Sequence, residues 1–218
     1  MSSSTPKQQL LHLPTWGGRR RGAGRKPTGK RAGVAHRSRV VAPRCPLHVT
    51  LKVRRDMAPL RKKSIWQVLR RAFQKGCDRF GFCLNHFSVQ GDHIHLIVEA
   101  EDARALGRGL KGLSVRIARG LNRLTGRSGQ VIADRYHSRP LRTPTEVRNA
   151  LAYVLGNARI HARRAGRSAS SPRIDPFSSA GWFDGFAQTP PWHMVDPLPA
   201  VKPRTWLLRI GWRRLGLL

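Results

Sequence analysis

Gln90-Gly91-Asp92-His93-Ile94-His95-Leu96-Ile97-Val98-Glu99-Ala100 reads as a tight turn followed by one strand. In a strand, side chains two apart share a face. Ile94, Leu96, Val98 and Ala100 therefore line an apolar side, and His93 and His95 project together from the other. Two imidazoles side by side on a rigid strand make half of a metal site. On a chain with 42 Lys and Arg against 11 Asp and Glu, such a metal would serve to hold a phosphate.

Gly91-Asp92 fits a two-residue hairpin loop, so the run Phe82 to Val89 is expected to pair back on the histidine strand. With that loop, Gln90 faces His93, Ser88 faces His95 and His86 faces Ile97, which brings His86 to the histidine face. Upstream, Leu47, Val49, Leu51 and Val53 alternate with His48, Thr50, Lys52 and Arg54, the pattern of a half-buried strand. Leu60, Ile65, Leu69, Phe73, Cys77 and Phe80 then recur at helical spacing. Downstream, Leu106, Leu110, Leu113, Ile117, Leu121 and Leu124 form a second helical stripe among arginines. A fourth extended stretch covers roughly 130–141. Thr143-Pro144-Thr145-Glu146 is a capping box with Pro at the first helical position, opening a helix to about residue 165.

The order strand-helix-strand-strand-helix-strand predicts an α+β fold: a ferredoxin-like split βαβ antiparallel sheet with two helices on one face. An added C-terminal helix follows. Three regions are expected: a disordered basic arm over 1–44, a catalytic domain over 45–165, and a Pro-, Trp- and Arg-rich tail over 166–218. In that tail Trp182, Phe183 and Phe186 are candidates to dock back on the domain.

The formal net charge of +31 opposes compaction by self-repulsion and calls for a polyanionic partner, nucleic acid first. No stretch approaches the ~18 uninterrupted apolar residues of a membrane span. The first residues show no apolar signal core with a cleavage site, so export is not expected. Cys45, Cys77 and Cys83, odd in number and irregularly spaced, argue against a disulfide framework or zinc ribbon. Arg19, Arg20, Arg21, Arg25 and Lys26 are candidate phosphate contacts in the arm, as are Arg135 and His137 near the fourth strand. Arg159, Arg163 and Arg164 extend that set along the last helix.

Tyr153 and Asn157 lie four apart on that helix, beside its Val147/Leu151/Val154 stripe. If the helix crosses the open sheet face, a phenol and an amide carbonyl reach the histidine pair. Nitrogen and oxygen donors in this mixture suit Mg²⁺ or Mn²⁺, and the phenol is a candidate nucleophile. Tyr136, the one other tyrosine, is its rival. His86 and Glu99 are candidates for supporting the pair from the same face, Glu99 alternatively being solvated.

His93-Ile94-His95, followed by the helical Tyr153-Val154-Leu155-Gly156-Asn157, resembles the His-hydrophobic-His and Tyr-x-x-x-Asn signatures of single-tyrosine HUH transposases of the insertion-sequence type. The likeness is greatest to the REP-associated tyrosine transposase branch and covers about 45–165. The resemblance implies Tyr153 as nucleophile and His93, His95 and Asn157 as ligands of Mg²⁺ or Mn²⁺. It also implies cleavage and rejoining of single-stranded DNA beside a hairpin through a 5′-phosphotyrosine link. A monomer and a homodimer are both compatible with it, and the expected setting is a bacterial cytoplasm, at the nucleoid. Members often carry Pro after the Asn, whereas Ala158 stands here and lets the helix continue. Two other readings fit the composition: a non-catalytic architectural DNA- or RNA-binding protein, and a replication-initiator-type nickase. The former would show aromatic residues, not histidines, on its open sheet face.

Overall fold

The computed structural model describes residues 41–42, 44–164, 174–188 and 197–218, without side chains for 158–164. The arm residues Arg19, Arg20, Arg21, Arg25 and Lys26, and the side chains of Arg159, Arg163 and Arg164, lie outside the described residues.

Strands β1 (Leu47–Lys52), β2 (Asp78–Arg79), β3 (Phe82–Val89), β4 (His93–Ala100) and β5 (His137–Pro140) form one antiparallel sheet. Its order is β2-β3-β4-β1-β5. Without the two-residue β2, this is the split βαβ arrangement, with the first strand beside the histidine strand. Helices α1 (Lys63–Gly76) and α2 (Ala103–Thr125) cover one face. There Leu47, Val49 and Leu51 of β1 meet Ile94, Leu96 and Val98 of β4 under Ile65, Leu69, Phe73, Leu110, Leu113 and Ile117. Alternation alone selects those residues, because β1 and β4 pair Val49 to Leu96 and Thr50 to His95. Helix α2 comes so close to β3 that a side chain on Gly109 would collide with the Phe82 ring.

Three local expectations change. Phe80 is not on α1: it sits 68% exposed in the β2–β3 turn with φ 54°. Leu124 is exposed, the buried stripe of α2 ending at Leu121. The extended stretch over 130–141 is regular only at β5. Its first part runs beside the end of β1, with Ala133 N–H donating to the Lys52 carbonyl at 2.8 Å.

The histidine face is also not open. Helix α3 (Pro144–Arg164) crosses it. Its start is fixed by half of the expected capping box: Glu146 N–H donates to Thr143 Oγ1 at 3.2 Å, but the Glu146 carboxylate accepts from the N–H of Arg142, one residue before the cap, at 2.6 Å. Val147, Leu151 and Val154 pack with Ile97 of β4 into a second core, completed by Ala180, Phe183, Leu208 and Trp212 from the C-terminal region. Trp212 is fully buried, stacked on Phe183 at 5.5 Å, with its Nε1–H donating to the Leu208 carbonyl. The final run forms a single turn, α4 (Trp206–Arg209), and a 3₁₀ turn over Gly211–Leu215. A bidentate Arg61–Asp175 pair at 2.7 and 2.9 Å ties the returning chain to the start of α1.

Candidate functional site

Strand pairing assembles the site from the histidine face. Ser88 and Thr50 are the cross-strand neighbours of His95 on β3 and β1, Lys52 is that of His93, and His86 pairs with Ile97. On the β1 side, His48 and Thr50 stand beside β5, where His137 pairs with Thr50. Helix α3 then brings Tyr153 over this row, edge-on to His95 at 5.1 Å and to His48 at 5.9 Å between ring centroids.

The hydrogen-bonding atoms have a clear polarity. His93 Nδ1 meets Asp92 Oδ1 at 2.7 Å. His95 Nδ1 meets both Thr50 Oγ1 and His48 Nε2 at 3.2 Å. Both Nδ1 atoms thus have partners behind them, and the two Nε2 atoms converge at 3.1 Å. The Tyr153 hydroxyl lies 3.4 Å from His95 Nε2. Burial pushes the His48 imidazole down to about 4, helped by the positive groups of His137 and Arg139. The neutral form of His48 is favoured, and its Nε2 can accept a proton carried on His95 Nδ1 in the matching tautomers.

Whether this set suits a divalent cation is a question of chemistry and spacing. Adjacent ligands of an octahedral ion at about 2.1 Å are about 3.0 Å apart, the separation found for the Nε2 pair. Metal-bound histidines characteristically have the other nitrogen held by a carboxylate or another polar group, as both do here. Asn157, one helical turn beyond Tyr153, is 1% exposed, and neither its amide oxygen nor its nitrogen has a protein partner. This orphaned buried amide on the same helix has the chemistry of the oxygen donor that such a cation would still need. Among the described residues no group of three or more His, Cys, Asp and Glu side chains is arranged to hold a metal. A cation here would depend on the amide.

Tyr136 packs against the core under α1 and α2, on the far side of the sheet from the histidine pair. It lines a groove of about 700 Å³ between α2 and the 130–136 segment, together with Lys111 and Arg135. His137, the next residue, is exposed at the start of β5. Arg135 and His137 thus flank one sheet edge.

The two other histidine-face candidates serve the C-terminal cover. Glu99 is not solvated: it is 5% exposed and accepts from the amides of Arg204 and Thr205 at 2.8 and 2.7 Å and from Asn85 Nδ2 at 3.2 Å. His86 lies against Phe183 and meets Ser179 Oγ at 3.4 Å, and burial lowers its pKa to about 4. Sequence reasoning overlooked His48 and Thr50. Their alternation was legible, and the split βαβ strand order, which seats the first strand beside the third, is the signal that joins them to His95.

No protein-family model and no curated protein matches the sequence. Among solved structures, a REP-associated tyrosine transposase bound to a REP hairpin superposes with a TM-score of 0.52 at 17% identity, covering 67% of this chain and 82% of that one. A candidate transposase from Deinococcus radiodurans R1 aligns at 15% identity with a TM-score of 0.39, over 63% of this chain and 100% of that one. The first of these shows that the chain has the fold of a REP-associated tyrosine transposase.

Proposed function

We propose that this chain is a divalent-metal-dependent tyrosine transposase of the HUH class, which cleaves and rejoins single-stranded DNA beside hairpins. The observation that carries the reading is the Tyr153 hydroxyl 3.4 Å from His95 Nε2, with His93 Nε2 only 3.1 Å further. A phenol and a phosphate-holding centre then address one backbone linkage. His93, His95 and Asn157 would hold Mg²⁺ or Mn²⁺, which when bound polarises the scissile phosphate and offsets charge in the transition state.

The remaining steps belong to side chains of the chain itself. Asp92, Thr50 and His48 fix the imidazole orientations from behind. Helix α3, anchored by Val147, Leu151 and Val154, holds the phenol against the phosphate. The Tyr153 oxygen forms the new bond to phosphorus as the bond to the 3′ oxygen breaks, leaving a 5′-phosphotyrosine and a 3′-hydroxyl. Tyr153 is 40% exposed, so its proton has a direct path to solvent. Rejoining is the reverse attack by a 3′-hydroxyl, which needs no nucleotide cofactor because the covalent link conserves the bond energy. Arg135 and His137 at the β5 edge, Arg159, Arg163 and Arg164 along α3, and the basic arm are the expected phosphate contacts, with binding that weakens steeply in salt.

The test is incubation with labelled single-stranded oligonucleotides bearing a hairpin, in Mn²⁺ or Mg²⁺. The expected result is a covalent adduct that survives SDS, persists in Tyr136→Phe, and vanishes with EDTA, Tyr153→Phe or His95→Ala. An adduct lost in Tyr136→Phe but kept in Tyr153→Phe would overturn the nucleophile assignment. No adduct on any hairpin-bearing strand would reduce the protein to a polynucleotide binder.

A further inference from the structure

Four tryptophans fall among the described residues, and three are anchors. Trp66 packs against Phe73, Phe87 and Phe177, Trp182 against the main core, and Trp212 is buried. Trp206 is different: it is 47% exposed. The Arg214 guanidinium lies over its ring at 5.2 Å from the centroid. Beside it opens a cavity of about 550 Å³ with Arg44 and Arg204 at its walls and Cys45 and Leu207 among its lining.

The position of this cavity follows from the Glu99 carboxylate, which holds the amides of Arg204 and Thr205. Glu99 is four residues from His95 on the same strand and face, about 13 Å at the rise of an extended chain. Ile97, between them, lies under the second core, so a DNA strand reaching Trp206 from the histidine pair passes outside the α3 cover. The charge is suited to it. Arg204 is paired with Asp78 at 2.7 Å, whereas Arg44, Arg209 and Arg214 have no carboxylate partner among the described residues.

We propose that Trp206 and the cavity beside it bind an unpaired nucleotide of the DNA strand outside the cleavage site. The base lies against the indole, and the flanking phosphates sit among Arg44, Arg209 and Arg214. The inference rests on the single-stranded DNA reading above. Stacking on an exposed aromatic is sequence-tolerant and largely independent of salt, unlike phosphate contacts.

The experiment measures binding of a fluorescein-labelled oligothymidylate to the full chain carrying Tyr153→Phe, in EDTA, so that cleavage plays no part. Trp206→Leu is expected to weaken binding at least about five-fold with an unchanged salt slope, and Trp206→Phe to retain most of it. Arg209→Ala should instead lower the slope. Because the Trp206 ring also lies against Gly211, a second measurement leaves the residue intact. Ultraviolet cross-linking to a bromouracil-substituted strand is expected to label the tryptic peptide Thr205–Arg209. Equal binding by a folded Trp206→Leu chain, or label found only elsewhere, overturns the proposal and leaves the catalytic reading standing. So does a Trp206→Leu chain that binds DNA normally but loses self-association, which would assign the patch to a second copy. Failure of the parent chain to bind any single strand overturns both.

Discussion

His95 has two acceptors behind it, and that redundancy has a measurable signature. Thr50 Oγ1 and His48 Nε2 stand at the same 3.2 Å from His95 Nδ1. Either one can take the proton that leaves Nε2 free for a cation. Removing both is expected to release the ring and weaken Mn²⁺ binding by about 10- to 100-fold, the usual effect of losing an outer partner of a ligand histidine. That range corresponds to about 1.4–2.7 kcal/mol. Thr50→Val or His48→Phe alone leaves one acceptor in place, so each should cost about two- to three-fold, well under half of the double variant's free energy. The cycle is therefore non-additive, with a coupling of about 1 kcal/mol. Calorimetric titration of Mn²⁺ into the full chain without DNA measures it, with thermal melting to establish that each variant is folded. Affinities that simply add, or a single variant as weak as the double, would refute shared orientation of His95.

Two further outcomes follow from the cover on the histidine face. The unfolded chain protonates His86 with a pKa near 6.5, the folded one at about 4. The His86 contribution is thus nil above about pH 6.5 and destabilises as pH drops toward 4, by at most about 2 kcal/mol at pH 5, with His48 adding a loss of the same sign. Urea unfolding at pH 7 and pH 5 should show this loss in the parent and a smaller one in His86→Phe; equal losses would sink the assignment. Glu99→Ala strips the acceptor from the Arg204 and Thr205 amides and from Asn85. It should cost about 2–4 kcal/mol and speed tryptic cleavage after Arg204, and an unchanged digestion rate would contradict the clamp.

Much of this architecture is written in local patterns. Ser88 opposite His95 and His86 opposite Ile97 follow from the turn at Gly91-Asp92 alone, and the start of α3 from Thr143 and Glu146. What escaped reading depends on contacts distant in sequence or on breaks in periodicity. β2 is two residues long and too short to alternate. In β3 the residues facing the main core switch from Phe82 and Leu84 to Phe87 and Val89, because Asn85 is an extra residue in the ladder. That parity switch is visible in the sequence once a bulge is considered. The roles of Glu99 and His86 are not visible there, since their C-terminal partners lie 93 to 106 positions away and no local pattern announces them.

The two cores are built from different ends of the chain. The main one draws on residues 47–131, with Ala200 at its border, whereas the second draws chiefly on 141–212. During synthesis the residues that pack the back of the sheet are therefore made before most of those that cover its two histidines. Any nuclease activity would begin late in translation. Until then, the emerging front of the sheet, with Ile97 and the histidine row, lies uncovered beside the ribosome's own RNA.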